Sequence, residues 1–147
     1  MPAERLLPTD QARAGGTPRG MELLTSRIVL SPTDLSRSQR FYERTLELAI
    51  YREWGEGEHR GVVFFLGGGG LLEVSGTRST APSSAVRLVL QVRDIEATWA
   101  WLAARDVPVS AVPERKPWGL LEMTVLDPDG LELIFVEIPA DHPRRHG

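Results

Sequence analysis

The chain has no cysteine, so disulfides, zinc–thiolate sites and a thiol nucleophile are all excluded at once. That absence fits a cytoplasmic setting. It has no apolar run of about 18 residues, so no helix spans a bilayer. Histidine is scarce, with His59, His142 and His146 the only three, which leaves few imidazoles for metal binding or acid–base work. The formal net charge of −3 supplies no global attraction to nucleic acid or to an anionic membrane. What remains is ordinary for a folded soluble chain. Apolar residues make up 41% and charged residues 25% of 147, enough for one domain with a normal core.

The ends are expected to lie outside that domain. Residues 1–21 combine Pro2, Pro8, Pro18 and several glycines with no apolar periodicity, and read as a disordered leader or a start upstream of Met21. Residues 139–147 read as a frayed tail, which makes His142 and His146 poor ligand candidates. The domain between them, 22–138, divides into a first module of about 22–76, a linker at 77–84 and a second module of about 85–138.

The division follows from an internal repeat. Ile28, Leu30 and Asp34 lead into Leu35 and Phe41, and Leu88, Leu90 and Asp94 lead into Ile95 and Trp101. Each copy reads as an alternating strand, an acidic helix cap and an amphipathic helix. In the first copy strands are predicted at 24–30, 48–54, 62–66 and 71–74, and in the second at 87–92, 107–112, 120–126 and 131–137. Gly67–Gly70 is not a phosphate loop, because a short strand-like segment follows where a helix must start. A hairpin turn explains it better. Asp127-Pro128-Asp129-Gly130 has turn residues in favourable places.

This order, with Asp34-Leu35, Phe41-Tyr42, Val92-Arg93-Asp94-Ile95 and Trp118-Gly119 ahead of Asp127-Pro128-Asp129-Gly130, resembles the vicinal oxygen chelate superfamily of glyoxalase, bleomycin-resistance and dioxygenase proteins. The resemblance implies an α+β fold of two βαβββ modules, forming a curled mixed sheet around a cup-shaped cavity. It also implies a homodimer, with modules exchanged between chains in some members.

Members with a metal usually draw one ligand from each of four strands, commonly two histidines and two glutamates. Carried onto this chain, the histidine places fall seven residues before Asp34 and Asp94, at Arg27 and Arg87. The first carboxylate is kept as Glu73, whereas the second falls on Ile134. Arginine stays protonated and has no lone pair to offer a cation. Glu132 shares the strand face of Ile134 but is displaced by about 7 Å. No metal and no cofactor is therefore expected.

Three accounts of Arg27, Arg87, Glu73 and Glu132 stay open. They form a buried ion-pair network, they replace the metal's charge and receive an anionic ligand group, or one arginine simply snorkels to solvent. Trp54 and Trp118 are the aromatics expected to line the cup, Trp101 is expected in the core, and Trp99 is expected at the surface or a dimer contact. His59 is expected on an exposed loop. The favoured function is metal-free binding or sequestration of a small organic or anionic compound. The alternative is a metal-dependent lyase, isomerase or dioxygenase of the same superfamily.

Overall fold

The computed structural model describes residues 20–143. The leader and His146, apart from Gly20 and Met21, lie outside the described residues. Strand β1 (Arg27–Leu30) is followed by helix α1 (Leu35–Arg40), then by strands β2 (Ile50–Trp54), β3 (Gly61–Phe65) and β4 (Leu71–Val74). The second half repeats this order with β5 (Arg87–Gln91), α2 (Ile95–Ala103), β6 (Val109–Arg115), β7 (Leu121–Leu126) and β8 (Glu132–Glu137). The fold is thus α+β, with two βαβββ modules as the repeat implied.

Each module builds a four-stranded mixed sheet. The strand orders are β1-β4-β3-β2 and β5-β8-β7-β6, and in each sheet the first pair is parallel and the rest antiparallel. Among the described residues no hydrogen-bonded strand pair joins the two sheets. Among the described residues no helix is long and apolar enough to cross a membrane.

The caps are where the repeat placed them. Asp34 accepts from the Arg37 amide at 3.1 Å and Asp94 accepts from the Ala97 amide at 3.0 Å, each satisfying a donor that the first helical turn leaves open. Helix α1 is short and widens into a π-helical turn over Phe41–Thr45, where the Leu46 amide reaches back to the Phe41 carbonyl. The Gly67–Gly69 turn does close the β3–β4 hairpin, with Gly68 and Gly69 at positive φ.

Two strand ends differ from the sequence reading by three residues, and the others by no more than two. Strand β1 starts at Arg27 rather than Leu24, and Met21, Leu23 and Leu24 are exposed. Strand β6 runs on to Arg115, through Pro113. It is an edge strand with irregular register at Val109/Ala111 and Ala111/Glu114, and such an edge tolerates a residue that donates no hydrogen bond.

One core serves both modules. Leu30, Tyr42, Phe64 and Leu72 from the first half pack in the same buried cluster as Ile95, Leu102, Met123 and Leu133 from the second. Trp99 and Trp101 are both half-buried against this cluster, Trp101 with the Arg105 guanidinium 3.4 Å from its ring. Because each strand alternates, one face of each sheet meets this shared core and the other faces away from it.

Polar contacts lock the modules together. The Tyr42 hydroxyl donates to Asp127 at 2.8 Å, both groups being buried. The Thr33 amide donates to Asp129 at 2.8 Å, and the Thr33 hydroxyl bonds the same carboxylate. Burial, followed by the Asp127 charge, pushes the Tyr42 phenol well above its ordinary range.

This upward shift predicts an alkaline limb in stability. Below about pH 10 the folded and unfolded chains both keep the phenol proton. Above it the unfolded chain releases the proton while the native state holds it, so stability falls by up to about 1.4 kcal/mol per pH unit. Urea melts between pH 9 and 11 should show this slope in the parent and lose it in Tyr42→Phe. Parallel curves for the two proteins would refute it.

Candidate functional site

The six candidate residues fall into two sets, one on each sheet. On the first sheet the register carries Arg27 and Val29 of β1, Glu73 of β4, Val63 of β3 and Trp54 of β2 onto the face turned away from the core. Arg27 Nε lies 3.2 Å from Glu73 Oε1. Glu73 Oε2 accepts from the Ser75 hydroxyl at 2.6 Å, so both carboxylate oxygens are engaged. Trp54 lies over Gly61, where even a Cβ would collide with its ring, and Arg52 stacks 5.1 Å from the ring centroid. Tyr51 and Phe65 meet edge to face at 5.2 Å between centroids.

The second sheet differs in its charges. Arg87 and Glu132 are register neighbours, as are Glu122 and Val136, which sets Arg87, Val89, Glu122, Glu132, Ile134 and Val136 on one face. Arg87 nevertheless makes no side-chain hydrogen bond or ion pair among the described residues. The expected Arg87–Glu132 pair is therefore not formed, although the Arg27–Glu73 pair is. Proximity in register fixes where two strands meet but leaves long side chains free to diverge.

A cavity of about 530 Å³ opens on this face between Val86, Arg87, Val89, Glu122, Ile134 and Val136. Trp118, half exposed beside it, donates its indole N–H to Glu122 at 2.6 Å. Glu122 is not marked as a site residue by the sequence, because alternation alone does not tell which strand carboxylate borders a concavity. Its signal is a carboxylate in a strand that is otherwise apolar except for Thr124, four residues beyond a tryptophan. A second concavity of about 900 Å³ lies where the β3–β4 hairpin meets β5, with Phe65, Gly68, Val89, Leu90, Arg93 and Ile138 among its walls.

His59 is exposed in a turn over Gly57–His59, beside Glu58, as the sequence implied. His142 is better held than expected of a frayed tail, with Nε2 3.0 Å from the Trp118 carbonyl.

The four positions equated with metal ligands do not fit a divalent ion. Arg27 and Arg87 carry fixed positive charge, Ile134 has no donor atom, and Glu73 is already held by Arg27 and Ser75. Among the described residues no group of three or more His, Asp or Glu side chains comes together.

Comparison with known proteins agrees with this architecture. The model of the Glyoxalase/Bleomycin resistance protein/Dioxygenase superfamily matches residues 25–135, and the chain belongs to that superfamily. No curated protein matches it. Among solved structures, TnmS3, an antibiotic binding protein from Streptomyces sp. CB03234, is 21% identical, with a TM-score of 0.68 over 82% of this chain and 100% of the other. TioX from Micromonospora sp. ML1 is 20% identical, with a TM-score of 0.63 over 78% of this chain and 98% of its own. A lactoylglutathione lyase from Agrobacterium tumefaciens is 17% identical, with a TM-score of 0.59 over 83% and 96%. At these identities the likeness concerns the fold alone.

Proposed function

We propose that this protein binds and sequesters a small organic molecule without a metal, as a cytoplasmic homodimer. The observation that carries this reading is the chemistry of the four ligand positions. A superfamily site built for a dication here holds two arginines, an isoleucine and a carboxylate already committed to Arg27 and Ser75. The uncovered faces carry aromatic groups instead, with Trp54 and Trp118 both partly exposed. Flat rings of this kind suit a planar or extended organic body. That TnmS3 is an antibiotic binding protein supports the same ligand class for this chain.

The homodimer follows from how much surface is left open. Edge strands β1 and β5 expose Val29 and Val89, and the outward faces add Phe65, Val86 and Leu126. A second copy laying its first sheet against the second sheet of this one would bury those groups and close a cup. The linker and module limits of the sequence reading, 77–84 between 22–76 and 85–138, agree with this use of two half-cups.

Light scattering and elemental analysis of the purified protein, with a thermal-shift screen of aromatic compounds, test the reading. Twice the chain mass, no stoichiometric metal and a melting temperature raised by aromatic compounds are expected. The shift should be lost in Trp118→Ala. Stoichiometric zinc, nickel, iron or manganese would overturn the metal-free reading in favour of a metal-dependent enzyme.

A further inference from the structure

The two halves of the repeat carry equivalent arginines in unequal states. Arg27 is neutralised by Glu73 at 3.2 Å, and that glutamate is itself fixed by Ser75. Arg87 has no such partner among the described residues, although it borders the cavity of about 530 Å³ on the second sheet. Duplicated position has therefore given one structural cation and one cation open to a ligand.

The same cavity holds a second polar group. Glu122 is only partly exposed, and the Trp118 indole N–H at 2.6 Å fixes one of its oxygens, leaving the other to accept a hydrogen bond. Arg87 and Glu122 line one cavity without forming an ion pair with each other. Val86, Val89, Ile134 and Val136 form the apolar part of its wall. A cation, a separate acceptor and an aliphatic wall together define what complements them.

We infer that the second-sheet cavity takes an aromatic hydroxy acid, its acid group on Arg87, its hydroxyl donating to Glu122 and its ring against the aliphatic wall and Trp118. The assignment rests on the small-molecule-binding reading above and makes it specific. A guanidinium meets a carboxylate through paired N–H donors, a stronger contact than a neutral hydrogen bond. The carboxylate of Glu122 accepts from a hydroxyl but repels a second acid. It thereby orients the molecule and disfavours diacids. Because Trp118 is tied to Glu122, ring contact and hydroxyl recognition are coupled.

The test uses three probes that share one ring system: 6-hydroxy-2-naphthoate, 2-naphthoate and 2-naphthol, titrated into the full-length protein by calorimetry or fluorescence. The hydroxy acid should bind tightest. Arg87→Gln should weaken both acids by ~10-fold or more while sparing 2-naphthol, the loss expected for a charge-assisted hydrogen bond. Glu122→Gln and Trp118→Phe should narrow the preference for 6-hydroxy-2-naphthoate over 2-naphthoate. Arg44→Gln, an exposed change remote in sequence from the cavity residues, controls for net charge.

Equal losses from Arg27→Gln and Arg87→Gln would overturn the asymmetry. Failure of the hydroxy acid to bind, or binding no tighter than 2-naphthol, would overturn the ligand class. In that case a positive aromatic screen would still uphold the broader binding function.

Discussion

Asp127→Ala is expected to lower the unfolding free energy by about 3–5 kcal/mol, because one buried carboxylate satisfies several donors at once. Its oxygens accept from the Tyr42 hydroxyl at 2.8 Å and from the Asp129 and Leu131 amides, each at 2.9 Å. Alanine leaves a buried phenol and two turn amides without that acceptor, at about 1–3 kcal/mol each before any relaxation. The change also removes the contact between the first module's helical segment and the second module's turn. Chemical denaturation of the parent and variant measures the difference. Asp127→Asn, which keeps one carbonyl acceptor, should recover part of it. A loss below about 1 kcal/mol would mean that water replaces the carboxylate and that the turn is held by other contacts.

Phe64→Ala is expected to cost a similar amount, about 3–5 kcal/mol, and to unfold both modules together. Phe64 is fully buried on β3, its ring 6.1 Å from that of Tyr42. It belongs to the cluster that also holds Met123 and Leu133 of the second module. In a Trp54→Phe background all indole fluorescence comes from Trp99, Trp101 and Trp118, in the second half of the chain. The unfolding midpoint read from those residues should fall with Phe64→Ala although the substitution is in the first half. An unchanged second-module midpoint would show two independent cores and refute the shared one.

These two sites also separate what was legible in the sequence from what was not. The caps at Asp34 and Asp94 were legible because a cap is satisfied within three residues of itself. The Gly67–Gly69 hairpin and the Asp127–Gly130 turn were legible for the same reason. The run of β6 past Pro113 is not legible in the sequence, because proline ends an interior strand and only sheet order shows that β6 lies at an edge. Trp99 packs on the common core while staying partly exposed, a depth that helical spacing alone does not show.

The candidate site was legible to the same depth. Counting back from the two aspartates located Arg27 and Arg87, and Glu73 followed from its strand. Strand alternation placed Glu132 on the face of Ile134, and the sheet register placed each set on an outward face. The fate of each charge was not legible, since it depends on rotamers and on neighbours across strands. Glu73 turned to Arg27 and Ser75, whereas Glu132 made no ion pair with its register neighbour Arg87.

The sequence by itself determined the elements and their duplication, because periodicity, caps and turns act over a few residues. Only the tertiary structure decided how the modules join and which arginine finds an ion-pair partner. Tyr42 and Asp127 are 85 positions apart, and Thr33 and Asp129 are 96 apart. No local propensity encodes such pairs. They form when two buried faces pack as one, and that packing selects which polar groups find partners.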